Sequence, residues 1–151
     1  MFHDRTLNNR INRLHERALR LVYKNNNCTF QELLEKDNAV TIHHRNLQRL
    51  AIEMYKVNHE ISPDFVREIF PRADISYNLR NTNYFKRSNV KSVFWGSETL
   101  RNLGPQIWGL IPKDIKNLPT LASFKTKIKQ WKTNECPCRL CKTYFPDLGF
   151  I

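Results

Sequence analysis

Three thiols crowd the end of the chain, Cys136, Cys138 and Cys141, in the order Cys-Pro-Cys-Arg-Leu-Cys. Thiolates this close can ligate one soft metal ion, and zinc is the metal such donors suit. A tetrahedral site needs a fourth ligand, and no histidine follows His59. The fourth donor would come from Cys28, a histidine distant in sequence, Asp147 or a second chain. The competing expectation is three reduced thiols in a tail, because CxCxxC is a weaker signal than two spaced CxxC pairs. His43 and His44 are adjacent, and neighbours on a helix diverge by about 100°, so they suit a helix start better than a shared metal or catalytic site. His15, between Leu14 and Glu16, suits the boundary of an amphipathic helix.

Two-metal chemistry on a polynucleotide needs clustered carboxylates to hold the ions. The 6 Asp are scattered without an Asp-Asp pair, and most of the 8 Glu stand in helical salt-bridging contexts. P-loop, GxSxG and HExxH patterns are missing as well. No catalytic residues are assigned, and the chain by itself is expected to bind rather than catalyse.

Cations are the stronger chemical signal. Lys and Arg number 25 against 14 Asp and Glu, a formal net charge of +11 that favours polyanions. Residues 1–75 carry 12 Lys/Arg against 10 Asp/Glu, and residues 76–151 carry 13 against 4. Within this excess, Arg10, Arg13, Arg17, Arg20 and Lys24 recur at three- and four-residue steps, as do Lys125, Lys129 and Lys132. Cations one helical turn apart can meet successive phosphates, each displaced counterion favouring binding. A solvated helix face is the alternative for either stripe alone. Between residues 77 and 95, Arg80, Lys86, Arg87 and Lys91 alternate with Tyr77, Tyr84, Phe85, Phe94 and Trp95, a mixture that can stack bases while holding a backbone. Phe94 and Trp95 are better explained as core, which leaves Tyr84 as the exposed platform.

The elements that must position these residues follow from periodicity. Leu7, Ile11, Leu14, Ala18 and Leu21 predict a helix over about 6–23 whose apolar face packs while the arginine stripe flanks it. Asn25 to Asn27 end it, and Thr29 with Glu32 predicts a capping box for a short helix through Glu35. A long helix over 41–58 turns Leu47, Leu50, Ala51, Met54, Tyr55 and Val57 inward. Ser62 and Pro63 predict an N-cap and first helical residue, with Pro71 as the stop. From Asp74 the texture becomes aromatic and β-branched, predicting short strands or extended loops. Helix returns near Ser97, breaks at Gly104–Pro105, restarts and stops at Pro112; a last helix begins near Thr120 with Leu121, Phe124, Ile128 and Trp131 inward.

The expectation is a mainly α protein, a small helical bundle with a short β-hairpin or extended segment in the middle and a Cys-containing C-terminal tail. It divides into a helical part over 1–73, a basic part over 74–133 and a tail over 134–151. No stretch approaches the roughly 20 apolar residues that span a bilayer, and the opening residues lack the apolar run of a signal peptide. An intracellular protein, nuclear or cytoplasmic, without a membrane partner is expected.

The ordered segments LNNRINRLHERALR (7–20), FQELLEKD (30–37), IHHRNLQRLAIEMYK (42–56), YNLR (77–80), LGPQIW (103–108) and CPCRLCK (136–142) carry a resemblance that covers essentially the whole chain. Together they resemble the region after the polymerase core in jockey-like, LINE-type non-LTR retrotransposon reverse transcriptases. The resemblance implies a longer parent protein that has an endonuclease and an RNA-directed DNA polymerase with an aromatic-x-Asp-Asp motif. This chain lacks that motif, which places it downstream of the core. By analogy its partners would be template RNA, target DNA and the polymerase core. Some related proteins end in a zinc knuckle of three Cys and one His, and here the His is missing. Two other readings stay open: an interaction module that docks on the core or joins chains through zinc, and a decayed fragment without present function.

Overall fold

The computed structural model describes residues 5–73, 85, 86, 89, 96, 99–131, 133 and 136. Among them the protein is mainly α, with helices α1 (Arg5–Tyr23), α2 (Phe30–Lys36), α3 (Ile42–Asn58), α4 (Asp64–Ile69), α5 (Leu100–Leu110), α6 (Lys113–Lys116) and α7 (Leu121–Gln130). None is long and apolar enough to cross a membrane. The chain forms two compact units, Met1–Leu47 and Gln48–Ile151, so the division falls within α3.

In the first unit the expected capping box is present: Thr29 Oγ1 accepts from the Glu32 N–H, and Glu32 Oε2 accepts from the Thr29 N–H at 2.9 Å. Each bond satisfies an amide that the helix start would leave without an acceptor. Leu33 and Leu34 are then buried with Leu19 of α1, and Tyr23, Cys28, Phe30 and Ala39 pack around them. The Tyr23 hydroxyl donates to Asp37 Oδ1 at 2.9 Å and joins the ends of α1 and α2. His15 meets Phe30 edge to face, with centroids 5.7 Å apart. The predicted orientation of α1 is therefore corrected. Asn8, His15, Leu19 and Tyr23 lie on the packed side, whereas Leu14 is 63% exposed and Leu21 79%.

In the second unit Leu50, Ala51, Met54, Tyr55 and Val57 of α3 are buried, and Leu47 is buried too, as their spacing predicted. A continuous row of rings crosses the core. Phe70 meets Phe85 at 6.5 Å, Phe85 meets Trp108 at 6.2 Å, Trp108 meets Phe124 at 6.2 Å, and Phe124 stacks on Tyr55 at 4.3 Å. The expected hairpin is not found among the described residues. Backbone pairing there is a single antiparallel bridge between Arg72 and Phe85, beside a bond from the Lys86 N–H to the Pro71 carbonyl at 2.8 Å. Phe85 is 2% exposed, so a side chain set between Phe70 and Trp108, rather than a strand ladder, holds this stretch. The rest of the expected segment, 74–84, 87, 88 and 90–95, lies outside the described residues.

Proline and glycine also act differently from the expectation. α4 begins one residue later, with Pro63 as the N-cap, and Ser62 is buried ahead of it. α5 runs through Pro105 without a break. Proline inside a helix removes one hydrogen bond and costs ~3 kcal/mol or more. The cost falls early in the helix, where Arg101, whose carbonyl loses its partner, is exposed. Burial of Leu103, Ile107 and Trp108 offsets it. Gly104 permits this packing: a Cβ there would lie 2.5 Å from Phe70 Cε1 and 2.8 Å from Met54 Sδ.

Three helices end without glycine on a residue of positive φ: Lys24 (48°), Asn38 (48°) and Glu60 (59°). After each the next N–H returns to the carbonyl five residues back, Asn25 to Arg20, Ala39 to Leu34 and Ile61 to Lys56, the bond of a Schellman end. Two changes in urea unfolding midpoint are expected. Gly104→Ala should destabilise by about 1–3 kcal/mol through overpacking. Glu60→Gly should stabilise by at most about 0.5 kcal/mol, the relief of left-handed strain exceeding the entropy of a freer unfolded chain and the loss of the exposed pair with Arg72.

Candidate nucleic-acid interface

Cations of both expected stripes reach the surface, and each stripe is held by a different device. Along α1, Arg10, Arg13, Arg17 and Lys24 are exposed, because the packed arc of the helix is taken by Asn8, His15, Leu19 and Tyr23. Among the described residues the ion pairs join Arg20 to Glu16, Lys56 to Glu53, Arg67 to Asp64 and Arg72 to Glu60. Arg10, Arg13, Arg17 and Lys24 are in none of them. Arg20 differs from its neighbours: Nη2 lies 2.8 Å from Glu16 Oε1 and Nη1 donates to the Asn26 carbonyl, so its guanidinium clamps the helix end.

On α7, Phe124 and Ile128 are buried, and this turns Lys125 and Lys129 outward on one flank and Lys127 on the other. The helix starts as predicted at Thr120, whose side chain accepts from the Ser123 N–H at 3.2 Å. α3 fixes both of its ends. The Tyr55 hydroxyl donates to the Leu118 carbonyl at 2.6 Å just before α7, and Gln48 Nε2 donates to the Lys129 and Trp131 carbonyls at 3.0 and 3.2 Å at its close. Directional bonds at two points leave the helix little freedom to rotate about its axis.

The remaining candidates divide by position. Lys86 is exposed beside the Arg72–Phe85 bridge. Arg80, Arg87 and Lys132 lie outside the described residues, as do Cys138 and Cys141. Cys136 is buried. Among the described residues no three His, Cys, Asp or Glu gather in a group able to hold a metal. His43 and His44 are buried at the start of α3, where the His44 N–H donates to Thr41 Oγ1 at 3.2 Å.

Gln48, Lys127 and Lys116 are additions to the sequence-based set. Gln48 shares the inward face with Ala51 and Tyr55, three and seven residues on, and a polar residue in that register is a visible signal for a buried anchor. Lys116 is a structural cation. Its ammonium lies 5.6 Å from the centroid of the Trp108 ring, and burial, with a lesser contribution from Lys113, lowers its pKa below the ordinary lysine value.

No protein-family model matches the chain, and no match is found among curated proteins or solved structures. The geometry makes its own prediction. Gln48→Leu leaves the Lys129 and Trp131 carbonyls without their donor and should cost about 1–3 kcal/mol. Amide hydrogen exchange should speed up at the C-terminal end of α7 in that variant; unchanged exchange there would show that Gln48 does not anchor the helix.

Proposed function

We propose that the chain is a non-catalytic nucleic-acid-binding segment of a non-LTR retrotransposon RNA-directed DNA polymerase. It holds template RNA or target DNA while a polymerase core in the longer parent protein performs synthesis. The observation that carries the proposal is the exposure of Arg10, Arg13, Arg17 and Lys24 on α1 and of Lys125 and Lys129 on α7, without carboxylate partners among the described residues. The ordered resemblance across the chain is what supports a retrotransposon polymerase as the parent.

The physical basis is counterion release. An arginine already paired with a carboxylate must break that pair before it can take a phosphate, whereas an exposed, unpaired one displaces only water and ions. Steps of three or four residues place neighbouring cations about one helical turn apart, roughly 5.4 Å along the axis, so a strand lying along either helix can meet several of them. Fork-shaped guanidinium groups suit phosphate oxygens in particular. Such contacts set register on the polymer and carry no base sequence, which suits a part that holds what another part copies. Partners of this kind put the chain inside the cell, in the nucleus or the cytoplasm.

About six phosphate contacts would give a log–log salt dependence of about −4 on single-stranded RNA and about −5 on duplex DNA. Reversing Arg13, Arg17, Lys125 and Lys129 to Glu should weaken binding more than about tenfold and flatten the slope by about 3. All four are exposed, so circular dichroism should remain that of the parent chain. Filter binding or anisotropy across a salt series measures both quantities, and unaltered affinity in the reversed variant would refute the assignment.

A further inference from the structure

Beside the arc of α1 that packs against α2 runs a heptad-spaced seam, bordered on that arc by Asn8 and His15 and with Ile11 half-buried. With Leu7, Leu14 and Leu21 at d positions, Ile11 and Ala18 fall at a, Arg10, Arg17 and Lys24 at g, and Asn8, His15 and Val22 at e. Leu7 is 41% exposed, Leu14 63%, Leu21 79% and Val22 69%, and Ala18 is exposed as well. Apolar side chains repeating at a and d are the pattern that seats one helix on another, and an exposed stripe of them marks an interaction surface. Phosphates offer such a stripe nothing, so its leucines call for an occupant other than nucleic acid, one that shares Arg10, Arg17 and Lys24 with it.

Charge at the edge of the seam selects the occupant. Every g position is cationic: Arg10, Arg17 and Lys24. A second copy of this chain packed antiparallel would set these g cations against each other. Packed in parallel, it would set Arg10 opposite His15 and Arg17 opposite Val22, with no carboxylate gained. A helix with leucine-type residues along its own seam and Glu or Asp at the flanking positions satisfies both features together, burying the leucines and pairing the cations.

We propose that α1 is the docking site for an acidic amphipathic helix of a protein partner, seated on Leu7, Ile11, Leu14, Ala18 and Leu21 and paired through Arg10, Arg17 and Lys24. The cost of ordering α1 is met before the partner arrives. Leu19 and Tyr23 are packed with α2, and the Tyr23 hydroxyl is bonded to Asp37, so the seam is presented on a helix already held in place. Arg13 and Arg20 occupy c positions farther round the helix and do not border the seam.

The probes are three synthetic helical peptides titrated against the full chain. One carries Leu at a and d with Glu at e and g; the second carries Leu at a and d with Lys at e and g; the third keeps the Glu but has Ser in place of Leu. The first should bind one to one and at least about tenfold more tightly than either control. The double variant Leu14→Gln/Leu21→Gln, which adds no charge beside the cations, should lose that preference while keeping its helicity and its affinity for RNA, since both leucines are exposed. Several results would overturn the proposal. Equal binding of the two Glu peptides would mean that charge alone acts, and equal binding of the two Leu peptides would mean that the g cations select nothing. No binding of the first peptide, or sedimentation showing a dimer of the chain that the double variant abolishes, would also defeat it. RNA affinity falling in the double variant as far as peptide affinity would assign the leucines to the nucleic-acid surface instead.

Discussion

The Tyr55 phenol is the point on which the second unit depends. Its ring is 1% exposed and lies between Phe124, 4.3 Å away, and His59, 4.0 Å away, while its hydroxyl donates to the Leu118 carbonyl at 2.6 Å. Burying a hydroxyl without an acceptor would cost several times what the bond returns, so the chain before α7 must pass where Leu118 can meet it. Apolar packing of Phe124 and Ile128 is non-directional and would tolerate some rotation of α7. The Tyr55 bond before the helix and the Gln48 bonds at its end remove that tolerance. Lys125 and Lys129 face outward because α3 leaves α7 one orientation, and surface chemistry here follows from buried polar geometry.

Where local chemistry decides structure, the sequence is readable. The Thr29–Glu32 capping box, the apolar spacing of α3 and the Thr120 start of α7 each rest on interactions within a few residues, and each forms. Proline is less legible, because its effect depends on what surrounds it. Pro105 looks like a helix breaker, yet the apolar contacts of Leu103, Ile107 and Trp108 outweigh the bond it removes. The same limit applies to Phe85, which strand propensity assigns to a hairpin and the core takes as a buried ring between Phe70 and Trp108.

α1 shows the other limit. Its apolar period is real, but periodicity reports which face would gain from burial and not which face the rest of the chain covers. α2 is a 7-residue helix with Leu33 and Leu34 buried, and it meets α1 through Leu19, Tyr23 and the His15–Phe30 contact. The packed arc therefore includes Asn8, which a hydrophobicity pattern assigns to solvent, and takes in His15 from the boundary, while Leu14 and Leu21 remain outside it.

Net charge alone overstates the cations available to a partner. Arg20 is committed to Glu16 and the Asn26 carbonyl, and Lys116 is held over Trp108 with its charge partly desolvated. Arg10, Arg13, Arg17, Lys24, Lys125 and Lys129 carry no such commitment among the described residues, and their spacing in the sequence singles them out. Spacing also divides the α1 cations again, and what it cannot reveal is that the leucines beside some of them stay exposed. Arg13 stands apart from the leucine seam, whereas Arg10, Arg17 and Lys24 border it, so any polyanion bound along α1 meets an apolar edge on one side only. Residue spacing sets which cations neighbour the leucines, and the packing of Leu33 and Leu34 with Leu19 is the step that leaves those leucines exposed beside them.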